Sequence, residues 1–366
     1  MASESKVIVG LSGGVDSSLS AWLLQQQGYL VEGFFMKNWE DDSAECPATQ
    51  DLLDVMKICD HLNIHLHAEN FSQDYADRVF KNFIEEYEQG RTPNPDILCN
   101  REIKFDVLLQ KAQQLGADFF ATGHYAKLTH PNTQNGSTTE LHRAADENKD
   151  QSYFLYALSQ KQLANTLFPL EDWHKPQVRK KARELGLITH NKKDSTGICF
   201  IGNKKFQTFF KDYTHTKKGE IIDPNNKVLG THMGVAFYTI GQRKGLGIGG
   251  QKNGSQEPWY VCEKNVKTNQ LRIAQGENHP LLNHHHLSAH QLNWINQPPC
   301  PTNKSITARI RHRQPLQPLQ IIELSTTKDT LNVRFQAPQF AIAAGQSIVL
   351  YQGTQCLGGG IIKERW

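Results

Sequence analysis

The apolar run "KVIVGL" (6–11) passes directly into the seven residues "SGGVDSS" (12–18), and the chain after it carries apolar residues at Val15, Leu19, Trp22 and Leu23 before stopping at Gly28. A buried strand, a glycine-rich turn and an amphipathic helix in this order constrain the fold more than any other feature of the chain. The alternation continues. "LVEGFF", "NIHLHAE" and "ADFFATGH" read as strands, the last running into a tight turn. "TQDLLDVMKICDHL" reads as a helix with Leu52, Val55, Met56, Cys59 and Leu62 on one face. "DYADRVFKNFIEEYEQG" and "REIKFDVLLQKAQQLG" are two further helices. Strand and helix in alternation predict a parallel sheet covered on both faces, with ligands bound beyond the carboxyl ends of the strands. "SGGVDSS" and "TGHYA" both fall at such ends.

The texture changes after residue 125. "THPNTQNGSTTE" is a polar insert near 129–140, expected to be a surface hairpin or loop. Residues 160–190 read as helical, most clearly "KPQVRKKARELGL". From about 205 the chain reads as strands and turns, including "GEIIDPNNKVLG", "GVAFYTIG", "EPWYVCEK" and "NQLRIAQG". Beyond the polar "NHPLLNHHHLSAH", whose His284 to His286 read as an inter-domain stretch, "SITARIRHR", "LQIIEL", "LNVRFQ" and "QSIVLYQG" suggest a small β-barrel or sandwich. A length of 366 residues accommodates two or three domains. The expected division is 1–204, an α/β parallel-sheet domain; 205–285, a small, mainly β domain; and 286–366, a C-terminal β-barrel.

Hydrophobic residues make up 38% and charged residues 21% of the chain, as in a globular protein. No apolar run approaches the ~20 residues that span a bilayer. The N-terminal "MASESKVIVG" has no signal-peptide pattern, so the expected location is the cytoplasm, with no membrane partner. A net charge of +3 does not by itself mark a nucleic-acid binder, and the seven scattered cysteines form no disulfide framework. In a reducing compartment single cysteines become candidate nucleophiles.

The turn between strand and helix exposes backbone N–H groups at a helix N-terminus, where anions bind. Gly13 and Gly14 let the backbone approach a phosphate, and Ser12, Ser17 and Ser18 add hydroxyls. Asp16 is odd beside an anion; it reads as a first-turn helix residue or as a group facing Mg²⁺. The lysine of the Walker loop is missing, so this loop does not address β- and γ-phosphates in that way. "GLGIGG" (245–250) matches a dinucleotide pattern but precedes no helix, which removes that reading and leaves Arg243 and Lys244 open to RNA contact.

Cys99, in "RTPNPDILCNREIKF", is expected just before a helix, with Arg101 and Lys104 nearby; both placements favour a thiolate. Cys199 lies in "KKDSTGICFIG". Taken alone, each cysteine also fits a small buried hydrophobe. In "TARIRHR" a strand period would put Arg309, Arg311 and Arg313 on one face, suited to phosphate contact or to solvent. His61, His65 and His67 with Cys46 and Cys59 lack the paired spacing of a structural zinc site, and no tightly bound metal is expected. Cys262, Cys300 and Cys356 read as structural.

"SGGVDSS" after a strand resembles the pyrophosphate loop of the ATP pyrophosphatase superfamily, which cleaves between the α- and β-phosphates. With it, "TPNPDILCNREIKF", "ATGHYAK", "KDQSYFL", "KKDSTGICFIG", "GQRKGLGI" and "CLGGG" occur in an order that resembles the tRNA-specific 2-thiouridylase family across nearly the whole chain. The resemblance implies an adenine nucleotide alpha hydrolase-like domain, a small central domain and a C-terminal β-barrel. It implies a monomer that adenylates the C2 carbonyl oxygen of the wobble uridine and replaces that oxygen with sulfur. ATP with Mg²⁺ is the implied co-substrate. The implied partners are tRNA (lysine, glutamate and glutamine acceptors) and a sulfur-carrier protein or cysteine desulfurase.

Residue by residue, the resemblance implies ATP binding by Gly10, Leu11, Ser12, Gly13, Gly14, Val15, Asp16, Ser17, Met36 and Gly123. Cys199 would carry the persulfide and Cys99 would pair with it. Asn94, Pro95 and Asp96 would surround a flipped base, Asp96 acting as base or holding the uracil edge. His124, Lys149, Asp150, Gln151, Arg311, His312 and Gln346 would touch tRNA. On their own, Met36 also fits a strand-end core residue and His124 a turn histidine. Two departures stand out: His312 replaces the usual tyrosine between two arginines, putting aromatic stacking in question, and Ala344 replaces a proline before Gly345, implying a looser turn. An adenylating ligase acting on a small-molecule carbonyl would use the same loop but neither cysteine motif. A non-catalytic RNA-binding protein would have no use for the loop.

Overall fold

The computed structural model describes residues 5–39, 47–130, 138–194, 210, 213–214, 217–249, 257–302, 305–325 and 327–366. Cys46 and Cys199 lie outside the described residues.

Strands β1 (Lys6–Leu11), β2 (Leu30–Lys37), β3 (Leu66–Asn70) and β4 (Phe119–Thr122) lie in one parallel sheet. Two more strands, β5 (Ala126–Thr129) and β6 (Glu140–Arg143), form a hairpin before β7 (Thr166–Leu167) completes the order β3-β2-β1-β4-β7. Val7, Ile8 and Val9 are fully buried, which is why β1 reads as a continuous apolar run rather than an alternating one: helices cover both faces of it. The sheet order places the carboxyl end of β1 between β2 and β4, where the direction of winding reverses.

The helix after β1 spans Val15–Gln26 and ends before Gly28, as its sequence period requires. In the Pro47–Leu62 helix the expected face holds at Leu52, Val55, Cys59 and Leu62, which pack into one apolar cluster, but Met56 is exposed and Ile58 is buried in its place. β7 interrupts the expected helical extension, leaving the helices Gln160–Ala164 and Lys175–Glu184.

The strands that flank the polar insert, β5 and β6, pair with each other, and β6 has a second partner. β6 pairs with the last strand of the chain, Leu141 opposite Cys356 and His142 opposite Gln355. Leu141 is fully buried there.

In the central region β8 (Gly219–Ile222), β9 (Val228–His232), β10 (Trp259–Asn265) and β11 (Gln270–Gln275) form a sheet of order β10-β11-β8-β9. "GVAFYTIG" is not a strand; Val235–Phe237 form a short 3₁₀ turn. The remaining strands are β12 (Asn283–Trp294), β13 (Ile306–Arg309), β14 (Gln317–Ser325), β15 (Thr330–Phe340), β16 (Ser347–Gln352) and β17 (Gln355–Arg365). They run β12-β15-β14-β13-β16-β17, and pairing of β12 with β17 closes them into a barrel. His284 to His286 belong to β12, not to a linker. Leu287, Val333, Phe335, Ile348, Leu350 and Ile362 help fill the barrel.

One apolar cluster crosses from the parallel-sheet domain to the barrel, joining Ile8, Phe34, Phe120, Tyr153 and Tyr156 to Val349, Tyr351 and Cys356. A second joins Tyr75, Phe83, Cys99 and Ile103 to Phe237 of the 3₁₀ turn and to Val261 and Ile273 of the central sheet. Burial of Cys262 and Cys356 fits a structural role, whereas Cys300 is exposed.

Candidate active site

The loop after β1 sits at the point where the winding reverses. Gly14 caps the Val15–Gln26 helix and has no side chain to occupy the first N–H groups, so these are left for an anion. Gly13 has φ +70°, and a Cβ there would lie 2.9 Å from the Asp51 carbonyl oxygen. Ser17 Oγ donates to the Gly14 carbonyl at 3.2 Å and lies 3.4 Å from Ser12 Oγ. Gly123, at the end of β4, packs on the helix start: a Cβ there would lie 2.6 Å from Ser17 N and 2.8 Å from the Asp16 carbonyl carbon. The sheet thus brings Gly10 to Ser17 and Gly123 together. Leu11 and Val15 turn their side chains into the core and offer only backbone. Met36, at the carboxyl end of β2, packs against both clusters that flank the site.

Asp16 is a first-turn residue held by protein groups. Tyr125 Oη donates to its Oδ1 at 2.8 Å, and Lys175 Nζ donates to its two oxygens at 2.8 and 2.7 Å. A cation therefore does stand at the loop, supplied by the helix that begins at Lys175 rather than by the loop itself. Lys175 also pairs with Asp194 at 2.8 Å, and Asp194 pairs with Lys149 and, at 2.8 Å, with Arg179. Burial would raise the Asp194 carboxyl, but hydrogen bonds and charge from Lys149 and Lys175 outweigh it and hold it at about 2.

Cys99 does not precede its helix. The helix starts four residues earlier, with Asn94 as N-cap accepting from Asp96 N at 3.1 Å and Pro95 in the first turn. Pro-Asp after Asn is a strong start signal, and the cysteine instead opens a π-type stretch over Cys99–Val107. Such widened turns often occur at functional sites. Cys99 is buried, and Arg101 is paired with Glu102 at 2.6 Å, so its charge is answered locally. Lys104 Nζ donates to Asn100 Oδ1 at 3.1 Å. Asp96 is exposed, and desolvation by the protein around it raises its carboxyl, partly opposed by Lys104. Burial pushes His124 well below its ordinary range, Lys104 adding to it, while its Nδ1 lies 2.7 Å from Thr122 Oγ1. Asp96 and His124 thus share one electrostatic neighbour.

The expected row of arginines does not exist. β13 stops at Arg309; residues 310–313 turn, and Arg313 has φ +66°. A strand period cannot extend through a turn, so the three guanidinium groups diverge. Arg309 Nη1 lies 2.6 Å from Asp150, Arg311 donates to the Phe340 and Ala341 carbonyls at 2.6 Å, and Arg313 is exposed. Asp150 is a buried carboxylate bound to Arg143, Arg309 and the Ala144 and Ser152 amides, so in this arrangement its side chain has no face for RNA. Gln151 Oε1 accepts from Tyr125 N at 3.0 Å. His312 packs against Phe154 with ring centroids 4.5 Å apart and planes inclined by 40°, so an aromatic contact survives the replacement of tyrosine. Gln346 Nε2 donates to the Thr92 carbonyl at 2.8 Å, and Thr92 N donates to the Ala344 carbonyl at 2.8 Å. The turn after Ala344 is therefore clamped to the loop that leads to Asn94.

A family model described as tRNA methyl transferase HUP domain matches residues 5–203, one described as tRNA methyl transferase PRC-barrel domain matches 207–275, and one described as aminomethyltransferase beta-barrel domain matches 284–362. The tRNA-specific 2-thiouridylase MnmA of Hydrogenovibrio crunogenus is 53% identical over 367 residues, covering 100% of this chain and 95% of its own. That of Vibrio cholerae is 53% identical over 366 residues, covering 99% of this chain and 97% of its own. The chain belongs to the tRNA-specific 2-thiouridylase family. Among solved structures, the U34-tRNA thiolase NcsA of Methanococcus maripaludis overlaps 57% of this chain and 64% of its own at 20% identity and a TM-score of 0.36, and nothing rests on that likeness. Among the described residues no helix is long and apolar enough to cross a membrane.

In this member of the 2-thiouridylase family, sequence reasoning missed Lys175, Asp194 and Asn100. Lys175 is 159 positions from Asp16, and nothing in "KPQVRKKARELGL" marks one of its lysines as buried. Asn100 Nδ2 donates to the Phe154 carbonyl at 3.1 Å, linking the Cys99 helix to the ring under His312.

Proposed function

We propose that this chain is an ATP-dependent tRNA-uridine 2-sulfurtransferase acting in the cytoplasm as a monomer. The observation that carries the reading is the end-to-end 53% identity to 2-thiouridylases. The chemistry follows from the poor leaving ability of a carbonyl oxygen. O2 of the wobble uridine attacks the α-phosphorus of Mg-ATP, the bond to the bridging oxygen breaks and pyrophosphate leaves. The terminal sulfur of a persulfide on Cys199 then attacks C2. AMP departs with the former O2, and the sulfur stays bonded to Cys199 Sγ. The Cys99 thiolate attacks that Sγ, releasing 2-thiouridine and leaving a Cys99–Cys199 disulfide. A thiol reductant reopens the disulfide, and a sulfur-carrier protein or cysteine desulfurase reloads Cys199.

The amides of Gly13 to Ser17 and the loop hydroxyls hold the phosphates, with Gly10, Leu11, Val15 and Gly123 shaping the loop, Asp16 at its helical end and Met36 beside the adenine. Asn94, Pro95 and Asp96 receive the flipped base. A carboxyl with a raised pKa suits a group that gives or takes a proton at the uracil edge. His124, Lys149, Gln151, Arg311, His312 and Gln346 line the tRNA face. Asp150 acts through its neighbours by fixing Arg143 and Arg309.

The test is a tRNA transcript with a lysine, glutamate or glutamine anticodon, incubated with Mg-ATP and a persulfide donor, then digested to nucleosides. The expected result is 2-thiouridine with AMP and pyrophosphate in equal amounts. No 2-thiouridine, under conditions in which a relative forms it, overturns the reading.

A further inference from the structure

The helical run that begins at Pro95 continues through Cys99–Val107 to Gln114. Asp96, Asn100 and Lys104 follow one another along it at intervals of four, so they form one stripe, each about a turn beyond the last. Helical side chains lean toward the N-terminus, and Lys104 does so: its Nζ donates to Asn100 Oδ1 at 3.1 Å. The ammonium group therefore stands at the level of Asn100, one turn, ~5.4 Å along the axis, from Asp96. Asn100 is 2% exposed and its Nδ2 donates to the Phe154 carbonyl, so the amide that seats the lysine is itself fixed.

Among the described residues Lys104 has no carboxylate at ion-pair distance. The other charges around Asp96 are answered. The Pro95–Leu98 turn packs on the 76–80, 99–107 and 152–155 helices. In the first, Arg78 pairs with Asp74 at 3.6 Å and Asp106 at 2.9 Å, and Asp77 accepts from Gln73 Nε2 at 2.9 Å. In the second, Arg101 pairs with Glu102. The third, Ser152–Leu155, carries no charged side chain. Upstream in the loop, Arg91 pairs with Glu86. Burial, with Lys104 adding to it, keeps His124 an uncharged ring. Lys104 is left as the cation that opposes the desolvation of Asp96.

We propose that Lys104 is a positioning residue for the activation step: its ammonium group, seated over Asn100 one turn from Asp96, supplies the counter-charge under which the Asp96 carboxylate takes the N3 proton of the uracil. This deepens the proposed function and rests on it. As O2 bonds to the α-phosphorus, the bond to the bridging oxygen breaks and pyrophosphate keeps its electron pair. The C2=O2 double bond becomes C2=N3, and the N3 proton passes to Asp96. A protonated Asp96 cannot accept it, so the step needs the carboxylate, which desolvation alone disfavours. Lys104 thus serves Asp96 and the first step, rather than the Cys99 thiol and the second.

The test measures tRNA-dependent pyrophosphate release by the full-length enzyme from about pH 5 to about pH 9, with Mg-ATP saturating and tRNA well below saturation, so that the rate follows kcat/KM and the titrations of the free enzyme. Removing the counter-charge raises the Asp96 carboxyl further. In Lys104→Met the acid limb is therefore expected to stand about one pH unit above that of wild type, with the rate on the limb about 10-fold lower and the loss narrowing toward alkaline pH. Lys104→Arg is expected to keep the wild-type limb. In the Asp96→Asn background, adding Lys104→Met is expected to cost less than about 2-fold further at any pH. If circular dichroism shows Lys104→Met unfolded, Lys104→Gln, whose amide can still donate to Asn100, carries the test. A folded variant whose rate differs from wild type by the same factor at every pH overturns the proposal. So does one that releases pyrophosphate as wild type does but forms less 2-thiouridine, which would assign Lys104 to Cys99. A wild type that releases pyrophosphate in response to tRNA but forms no 2-thiouridine overturns the function alone, and one that thiolates while its Lys104 variants keep the wild-type limb overturns this inference alone.

Discussion

Arg309 on β13 lies 2.6 Å from Asp150 of the parallel-sheet domain, in a pair whose side chains are 5% and 0% exposed. The guanidinium also lies over the Tyr351 ring, 5.6 Å from its centroid. Removing one member of a buried pair strands the other charge, and Arg143, at 3.3 Å, answers it only in part. Arg309→Met is expected to lower stability by about 3 kcal/mol, read from urea unfolding. Adding Asp150→Asn to it is expected to recover part of the loss. Equal destabilisation by the single and double variants would show that the pair carries none of it.

Gly123 is required by proximity rather than by φ. A methyl group at that position would sit 2.6 Å from Ser17 N, the amide at the mouth of the anion site. Gly123→Ala therefore displaces the start of the helix by a few tenths of an ångström or more. The expected effect is a loss of up to about 100-fold in kcat/KM for ATP, with the far-ultraviolet circular dichroism spectrum unchanged. Steady-state kinetics at saturating tRNA measure it.

Under the proposed function the two cysteines act only in sulfur delivery, so they can be separated from activation. Cys199→Ala and Cys99→Ala are expected to abolish 2-thiouridine while retaining tRNA-dependent release of pyrophosphate from ATP, because neither thiol takes part in attack on the α-phosphorus. Radiolabelled ATP resolved by thin-layer chromatography, beside nucleoside analysis, reads both steps. Loss of pyrophosphate release together with thiolation would assign the cysteines to the first step instead.

The features legible in the sequence were local ones. Strand, Gly-Gly turn and helix are adjacent in the chain, so β1, the anion loop and the Val15–Gln26 helix were readable from period and glycine placement. The end of β13 was not. "TARIRHR" alternates beyond Arg309, but Ile310 N is taken by Gln314 Oε1 at 2.8 Å and the chain turns, a choice made by a side chain four residues on. His284 to His286 of β12 resemble a linker because the strand leaves them only partly buried, so polarity does not mark its boundary. Lys175 and Asp194 were invisible for another reason: their partners are set by how the Lys175–Glu184 helix packs on the Val15–Gln26 helix, a tertiary relationship with no period in the sequence.

His312 carries a cost that a substitution can remove. Its Nδ1 is buried with no hydrogen-bond partner among the described residues, and its ring already packs against Phe154 in a tilted contact. Burial, with charge from Arg313, lowers the imidazole from its ordinary range to about 4. Between pH about 6.5 and about 4 the unfolded chain therefore binds a proton at this position that the folded chain does not, and stability falls as pH falls through that window. His312→Phe keeps the ring contact and removes both the orphaned nitrogen and the titration. At pH 7 it is expected to raise stability by about 1 kcal/mol. Between pH 6.5 and 4 its stability is expected to decline less steeply than that of wild type, by the contribution of one proton. Thermal melts at half-unit pH steps measure both effects. Parallel slopes for the two proteins would show that His312 titrates normally and that its ring is open to water.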